Sequence, residues 1–322
     1  MEQEDYPRTL AELETRFGTE QACREYLIKL RWPDGFVCPR CGTHSTWTTK
    51  RNLLVCAKCQ YQGSVTAGTI FQDTRKPLTL WFRAIWWVTT QKNGASAVSV
   101  QRILGLGSYT TAWIWLHKLR RAMVRPDRER LRGRVEVDEA YIGGVEEDVR
   151  GRQTETKALV VIACEENESG IGRIRLRHIP DASAASLVAF VQEAIEPGSV
   201  VHTDGWEGYA GLEEKGYKHK VTILQRRRRS PSHLLPRVHM VASLLKRWLL
   251  GTHQGAVSRD HLAYYLDEFT FRFNRRRSRS RGKLFYRLLQ QAVAVAPQPF
   301  KGIVGGTWND AKPQHIGVTG VK

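Results

Sequence analysis

Hydrophobic positions follow a helical spacing in the first 125 residues and a strand spacing after them. Residues 9–30 are predicted to form a helix, which ends at the proline and glycine of segment 31–35. Residues 78–123 are predicted to form three further helices, separated by tight turns at Gly94 and Gly105. The first part of the chain is therefore expected to be helical, apart from one cysteine-containing segment.

The three helices of segment 78–123 have two interpretations. Short helices joined by glycine turns are typical of a helix-turn-helix, whose last helix would enter a DNA major groove. The alternative is a small helical spacer with a tryptophan-rich core. In the first interpretation, the groove-facing side chains are Tyr109, Thr110, Thr111, His117, Lys118 and Arg120.

The pattern changes to alternation at Arg134. Two segments alternate between apolar and polar positions, one is a continuous apolar run, and a helix is predicted at 183–195 with Asp181 as a candidate cap. The predicted strands are 135–142, 158–164, 174–179, 200–204 and 220–224. The order βββαβ, followed by a later strand and helix, indicates an α/β fold with an RNase H-like mixed sheet flanked by helices.

Composition narrows the class of partner. The formal net charge is +18 and the isoelectric point is about 9.9, which favours a polyanion such as nucleic acid. Hydrophobic residues make up 41% and charged residues 25%, which argues against disorder, and no apolar run is long enough to span a bilayer. The acidic start has no signal-peptide character, so we expect a cytoplasmic, nucleoid-associated protein with reduced cysteines.

Four of the six cysteines form two pairs, Cys38/Cys41 and Cys56/Cys59, with 14 residues between the pairs. Two C-x2-C pairs at this spacing predict a zinc ribbon, in which four thiolates bind one structural Zn²⁺. The segment between the pairs alternates as a short hairpin would. Buried unpaired thiols or a redox pair are the alternatives, but neither requires this spacing. The other two cysteines, Cys23 and Cys164, are predicted to be core thiols.

Two aspartates are candidates for a catalytic metal site. Asp138 lies in the first predicted strand, and Asp204 ends the fourth. If these strands are neighbours, both carboxylates project from one end of the sheet, as two-metal phosphodiester chemistry requires. The alternative is that each aspartate caps a turn.

Four motifs add a family resemblance that covers nearly the whole chain. Together with the zinc ribbon and helical linker, they resemble the ISXO-two-like insertion-sequence transposases: VDEAYIGG at 137–144, HTDGW at 202–206, LKRWLLGTH at 245–253 and YLDEFTFRFNRR at 265–276. The resemblance implies an RNase H-like catalytic domain of the DDE superfamily. Such a protein cuts at the ends of its mobile element and joins the 3′-hydroxyls to target DNA without a covalent enzyme intermediate. Asp138 would be the first ligand of the catalytic Mg²⁺ or Mn²⁺ ions and Asp204 the second.

The third ligand departs from the family pattern. A Glu or Asn is expected about 34 residues after the second Asp, with a Lys two helical turns later. After 34 intervening residues the chain has His239 instead, and Lys246 follows seven residues on. A neutral imidazole can bind a divalent ion, although less readily Mg²⁺ than softer metals. The alternatives are that Glu268 is the ligand, or that this copy is inactive.

Basic residues near these motifs are expected to bind the DNA backbone, although a charge run can also be a solvated face. The candidates are Arg226, Arg227, Arg228, Arg229, Lys246, Arg275, Arg276 and Arg277. Phe269, Phe271 and Phe273 are expected to pack a helix rather than stack on bases. A homodimer or higher oligomer is expected on double-stranded DNA, since two element ends must be joined to target DNA.

The predicted organisation has five segments. They are an N-terminal helical segment (1–35), the zinc ribbon (36–62), the helical or helix-turn-helix segment (75–125), the RNase H-like catalytic domain (132–295) and a C-terminal tail (296–322). A transposase is the leading function. A zinc-ribbon DNA-binding regulator that has lost catalysis is the second, and a plain RNase H-like nuclease, which leaves the ribbon unexplained, is the third.

Overall fold

The computed structural model describes residues 4–125, 128–144, 156–168, 170–223 and 234–306. The chain divides into two compact units. The first takes the chain up to residue 126 and resumes at residue 278, and the second lies between these points in the sequence. The chain therefore leaves the first unit once and returns to it.

The first unit begins with two short helices, α1 (Leu10–Arg16) and α2 (Glu20–Arg31). Each is capped by a threonine hydroxyl that accepts the backbone N–H three residues later, at 3.1 Å for Thr9 and 3.2 Å for Thr19. The sequence predicted one helix over residues 9–30. The structure divides it because Thr19 has an extended backbone and starts a second helix.

Three short strands follow as an antiparallel sheet: β1 (Thr46–Thr48), β2 (Leu54–Cys56) and β3 (Gln62–Gly63). The first two form a hairpin, as predicted, in which Trp47 pairs with Val55. Cys56 lies at the end of β2, so the sheet itself holds one of the cysteines in place.

Three helices come next: α3 (Leu78–Thr90), α4 (Ala97–Leu104) and α5 (Tyr109–Ala122). Gly105 ends α4 in the left-handed conformation, with φ +63°, which a residue without a Cβ adopts readily. The predicted helices and their glycine break are confirmed.

Helix α5 presents only part of the surface predicted to read DNA. Tyr109 and Thr110 are exposed, whereas His117 and Arg120 are 0% and 1% exposed. The His117 ring lies 4.1 Å from the ring of Trp113. The expectation that His117 and Arg120 contact bases is therefore wrong, because these side chains are turned into the protein interior, whereas Lys118 is half-buried and the start of α5 is exposed.

The second unit contains a five-stranded mixed sheet with the order β6-β5-β4-β7-β8. Neighbours β4, β5 and β6 are antiparallel, and β4, β7 and β8 run parallel. This order, with an antiparallel meander before parallel crossovers, is the predicted RNase H-like arrangement. The strands are β4 (Arg134–Ile142), β5 (Ala158–Asn167), β6 (Gly170–Ile179), β7 (Val200–Thr203) and β8 (Lys218–Val221).

Helices cover both faces of this sheet. Helix α6 (Ala184–Ala194), between β6 and β7, packs on one face. The long helix α7 (Pro236–His253) and α8 (Leu262–Asn274) pack on the other. Phe269, Phe271 and Phe273 are buried along α8, which confirms that they pack the protein interior.

The central strand β4 alternates between these two cores. Val135 and Val137 are fully buried in the core beneath α6, whereas Ala140 packs against the core beneath α7 and α8. Because side chains alternate along a strand, Glu136 and Asp138 share the face of Ala140. The pleat of β4 therefore places two acidic side chains under α7.

The chain then returns to the first unit as α9 (Arg281–Ala294) and α10 (Phe300–Val304). The catalytic segment predicted from the sequence extends to residue 295, whereas the second unit ends at Arg277. The difference arises because the apolar side of α9 packs on α2, α3 and α5. Within the described ranges, no helix is long and apolar enough to cross a membrane.

Candidate functional site

The four paired cysteines converge on one point of the ribbon. The Sγ atoms all lie within 4.8 Å of one another, with Cys38 and Cys59 at 3.6 Å and Cys41 and Cys56 at 3.5 Å. Four thiolates bound tetrahedrally at Zn–S distances of about 2.3 Å stand roughly 3.8 Å apart. The geometry and the all-sulfur donor set therefore fit Zn²⁺, and four protein ligands leave no open coordination position.

The surroundings of these thiols support that fit. The hydroxyl and backbone of Thr43 lower the pKa of Cys41 to about 6, which favours the thiolate that a metal binds, whereas burial and the other three cysteines raise the pKa of Cys59 to about 12. Thiolates this close repel one another, and a cation bound between them would remove that repulsion. Cys23 and Cys164 differ, because both are fully buried. Burial raises the pKa of Cys23 to about 12 and that of Cys164 well above its usual value, so both are inert core thiols, as predicted.

Asp138 lies on β4, and Asp204 directly follows the neighbouring parallel strand β7. Glu136 of β4 is paired with His202 of β7, and continuing that register by two residues sets Asp138 level with Asp204. Asp138 Oδ1 accepts the N–H of Glu139 at 2.8 Å, and Asp204 Oδ1 accepts a backbone N–H two residues ahead at 3.0 Å. The predicted neighbouring strands are therefore present, and an extension of their register would set the two carboxylates at the same level of the sheet.

A buried tyrosine contacts the acidic residue that follows Asp138. The Tyr209 hydroxyl donates to Glu139 Oε2 at 2.7 Å. Burial raises the pKa of Tyr209 well above its usual value, and the negative charges of Glu139, Asp138 and Asp204 raise it further. Sequence reasoning missed Tyr209, since a lone tyrosine five residues after an aspartate carries no recognisable pattern.

His239 meets the first aspartate. It lies in the first turn of α7, and its Nε2 is 3.7 Å from Asp138 Oδ2. Lys246 lies two turns further along the same helix and is exposed. The structure thus brings His239 of α7 to Asp138 of β4, and Asp204 directly follows β7, the strand that pairs with β4.

Glu268 occupies a different place. It is 0% exposed in α8, and its Oε1 accepts a hydrogen bond from Arg272 Nε at 2.8 Å. Helix α8 packs on β6, which β5 separates from β4 in the sheet. This carboxylate is thus engaged by an arginine beside a strand that carries neither aspartate.

The basic residues predicted to bind the DNA backbone differ in their surroundings. Arg226, Arg227, Arg228 and Arg229 lie outside the described residues. The guanidinium of Arg275 lies 4.1 Å from the ring centre of Phe271, and that of Arg276 lies 4.0 Å from Phe273. Arg276 also donates to backbone carbonyls at the start of β6. These two arginines therefore hold local structure, and Arg276, Arg277 and Lys246 are all exposed.

Comparisons with known proteins agree with this architecture. Residues 130–274 match the ISXO2-like transposase domain, and residues 18–62 match the transposase zinc-ribbon domain. The chain therefore carries an ISXO2-like transposase domain preceded by a transposase zinc-ribbon domain. A relative from Halobacterium salinarum, an uncharacterized protein in transposable element ISH50, is 27% identical over 283 residues, which cover 80% of this chain and 91% of the relative.

Solved structures show weaker likeness. The Mos1 transposase paired-end complex with its left transposon end covers 76% of this chain and 83% of its own, at 13% identity and a TM-score of 0.28. The catalytic core domain of BIV integrase covers 42% of this chain and 80% of its own, at 16% identity and a TM-score of 0.27. The family assignment rests on the domain matches and not on these scores.

The first prediction concerns the zinc ribbon. Replacing Cys38 or Cys56 by Ser should release the zinc and unfold residues 36–62, because the ~10–16 kcal/mol of apparent zinc-binding free energy in such sites is folding free energy. The unit 127–277 should stay folded. Elemental analysis and limited proteolysis measure the two effects, with Cys23→Ser as the control that keeps its zinc. Purified chain with reduced cysteines and no zinc would contradict this assignment.

Proposed function

We propose that the protein is a DNA strand transferase that cuts at the ends of its insertion sequence and joins the 3′-hydroxyls to target DNA. The observation that carries the proposal is the contact between Asp138 and His239, with Asp204 after the neighbouring strand, in a chain that carries a transposase domain. Asp138 lies 3.7 Å from His239 and in register with the strand that leads to Asp204. The competing ligand, Glu268, is engaged by Arg272 elsewhere in the unit.

We assign these three side chains to a site for divalent ions. In phosphodiester transfer, such ions activate the attacking hydroxyl and stabilise the leaving oxygen. Asp138 and Asp204 would supply hard carboxylate oxygens at a fixed depth, each oriented by a backbone N–H. His239 would supply a nitrogen in place of the third carboxylate. A site with one fewer anionic oxygen is expected to favour Mn²⁺ over Mg²⁺.

Double-stranded DNA is the proposed partner, as element ends and as target. The net charge of +18 attracts the phosphate backbone. Lys246 is exposed on the helix that carries His239, and we assign it a contact with phosphate near the reacting strand. Two ends must be brought together, so we expect a dimer or higher oligomer on DNA, acting in the nucleoid.

The observation that favours a second function is His239 itself. A chain that had lost catalysis would also be free to replace the carboxylate at the position of the third metal ligand by an imidazole. Such a chain would be a DNA-binding regulator with a zinc ribbon. The two functions differ in one property, because only the transposase joins strands in a divalent-metal-dependent reaction.

The second prediction tests the aspartates. Asp138→Asn and Asp204→Asn should each abolish strand joining, since an amide is a far weaker ligand for a hard cation, while DNA binding stays nearly unchanged or tightens. Strand transfer of labelled element ends and a gel-shift titration measure the two properties. Metal-dependent joining by either variant at the parent rate would reject the site, and a parent chain that binds DNA without joining it would favour the regulator.

The third prediction separates His239 from Glu268. His239→Ala should abolish joining in either metal, whereas His239→Glu should retain it and shift the preference from Mn²⁺ toward Mg²⁺, because a carboxylate suits the harder ion. Glu268→Gln should keep the parent's metal preference. Strand transfer is measured for each variant at several concentrations of both ions. An active His239→Ala beside an inactive, folded Glu268→Gln would move the role to Glu268.

A further inference from the structure

The start of α7 has no cap of its own. The residue before the helix, Leu235, has no side chain that could accept a hydrogen bond, and Pro236 at the first position has no N–H. The next two backbone N–H groups, of Arg237 and Val238, would remain unsatisfied within the helix. Because Val238 is 1% exposed, water cannot readily serve these groups, so another acceptor is needed.

Glu136 is that acceptor. Its Oε2 accepts the N–H of Arg237 at 2.8 Å and the N–H of Val238 at 3.1 Å. Its Oε1 accepts the Arg237 guanidinium at 2.8 Å. The carboxylate comes from the middle of the sheet, about 100 residues earlier in the chain, and is 1% exposed. Its negative charge also lies at the positive end of the α7 dipole, which favours this placement.

The same strand face makes a second contact with the same helical turn. Asp138 lies two residues after Glu136, and His239 follows Val238 directly. Glu136 therefore binds the backbone of the turn whose next side chain meets Asp138 at 3.7 Å. Two contacts, two residues apart on the strand, set both the depth and the rotation of the start of α7 over β4.

We propose that Glu136 is a positioning residue that holds His239 at the distance from Asp138 needed to share a divalent ion. The inference rests on the proposed function, since it assigns His239 a ligand role. Glu136 itself does not touch the ion or the DNA. Its effect is transmitted through the Arg237 and Val238 amides to the residue that follows them.

A direct metal-binding role for Glu136 is the competing explanation. Ligand atoms of Glu136, Glu166 and His202 lie within 4.8 Å of one another. Arginines already neutralise these acids, however. Arg237 Nη1 lies 3.6 Å from Glu166 as well as 2.8 Å from Glu136, and Arg134 Nε lies 3.2 Å from Glu166. With a guanidinium and two amides on Glu136, the group is better explained as an anchor for the helix.

Glu136→Gln is the main test variant, because glutamine keeps the shape and one acceptor oxygen but loses the charge. Glu165→Gln is the matched control. Glu165 is also a buried strand glutamate, paired with Arg173 at 2.6 Å, but it accepts the backbone N–H groups of Arg132 and Arg173 and none from α7. Any general loss of folding stability caused by neutralising a buried glutamate that is paired with an arginine should appear in both variants.

The fourth prediction is measured on the full chain without DNA. Amide hydrogen exchange should accelerate at residues 237–240 in Glu136→Gln but not in Glu165→Gln, with no metal present. Calorimetric Mn²⁺ affinity should fall roughly 10–100-fold in Glu136→Gln, the range found when residues that orient a ligand are changed, and stay at the parent value in the control. Glu136→Ala should show a larger loss of both properties.

The outcomes separate this inference from the proposed function. Unchanged exchange and Mn²⁺ affinity in Glu136→Gln, beside weakened binding in Asp138→Asn, would overturn the positioning role alone. Parent-like Mn²⁺ binding in Asp138→Asn would instead overturn the proposed metal site. A third outcome concerns the number of Mn²⁺ ions bound per chain. If Glu136→Gln binds one ion fewer than the parent while Asp138→Asn keeps that ion, Glu136 is itself a ligand and the positioning role is rejected.

Discussion

The central strand β4 must serve two buried faces at once, and the candidate site depends on that constraint. Its alternation sends Val135 and Val137 into the core under α6 and sends Glu136 and Asp138 under α7. Buried carboxylates are costly unless they are paired or hydrogen-bonded. The start of α7 meets this requirement, because its amides and Arg237 bind Glu136 while His239 approaches Asp138. Helix and strand are thereby fixed to each other where the chemistry is proposed.

The features predicted from the sequence are those with a local or strongly periodic signal. The spacing of the two cysteine pairs predicted the ribbon, and apolar alternation predicted the strands and hence the order of the RNase H-like sheet. That order implied that the strands leading to Asp138 and Asp204 are neighbours, and the structure pairs β4, which carries Asp138, with β7, which Asp204 directly follows. The position of His239 came from family spacing. Its contact with Asp138 is a structural finding, whereas its role as a ligand is still a proposal.

The features that were not predicted depend on contacts between distant parts of the chain. A glutamate in a strand carries no sign that it will accept the amides of a helix 100 residues later, so Glu136 was passed over. Helix α9 looks like a continuation of the catalytic segment, and only its packing places it in the first unit. His117 and Arg120 are polar, which suggested a DNA-reading surface, but tertiary packing buries both. Periodicity predicts elements, whereas burial of polar groups is decided by the partners they meet.

The most direct test of the central claim is a crystal structure of the full chain with Mn²⁺, in which anomalous scattering locates the ion. We expect Mn²⁺ bound jointly by Asp138, Asp204 and the Nε2 of His239, with Glu136 still hydrogen-bonded to the amides of α7. An ion bound by Glu268, or one held by Glu136, Glu166 and His202 with Asp138 unligated, would contradict the account.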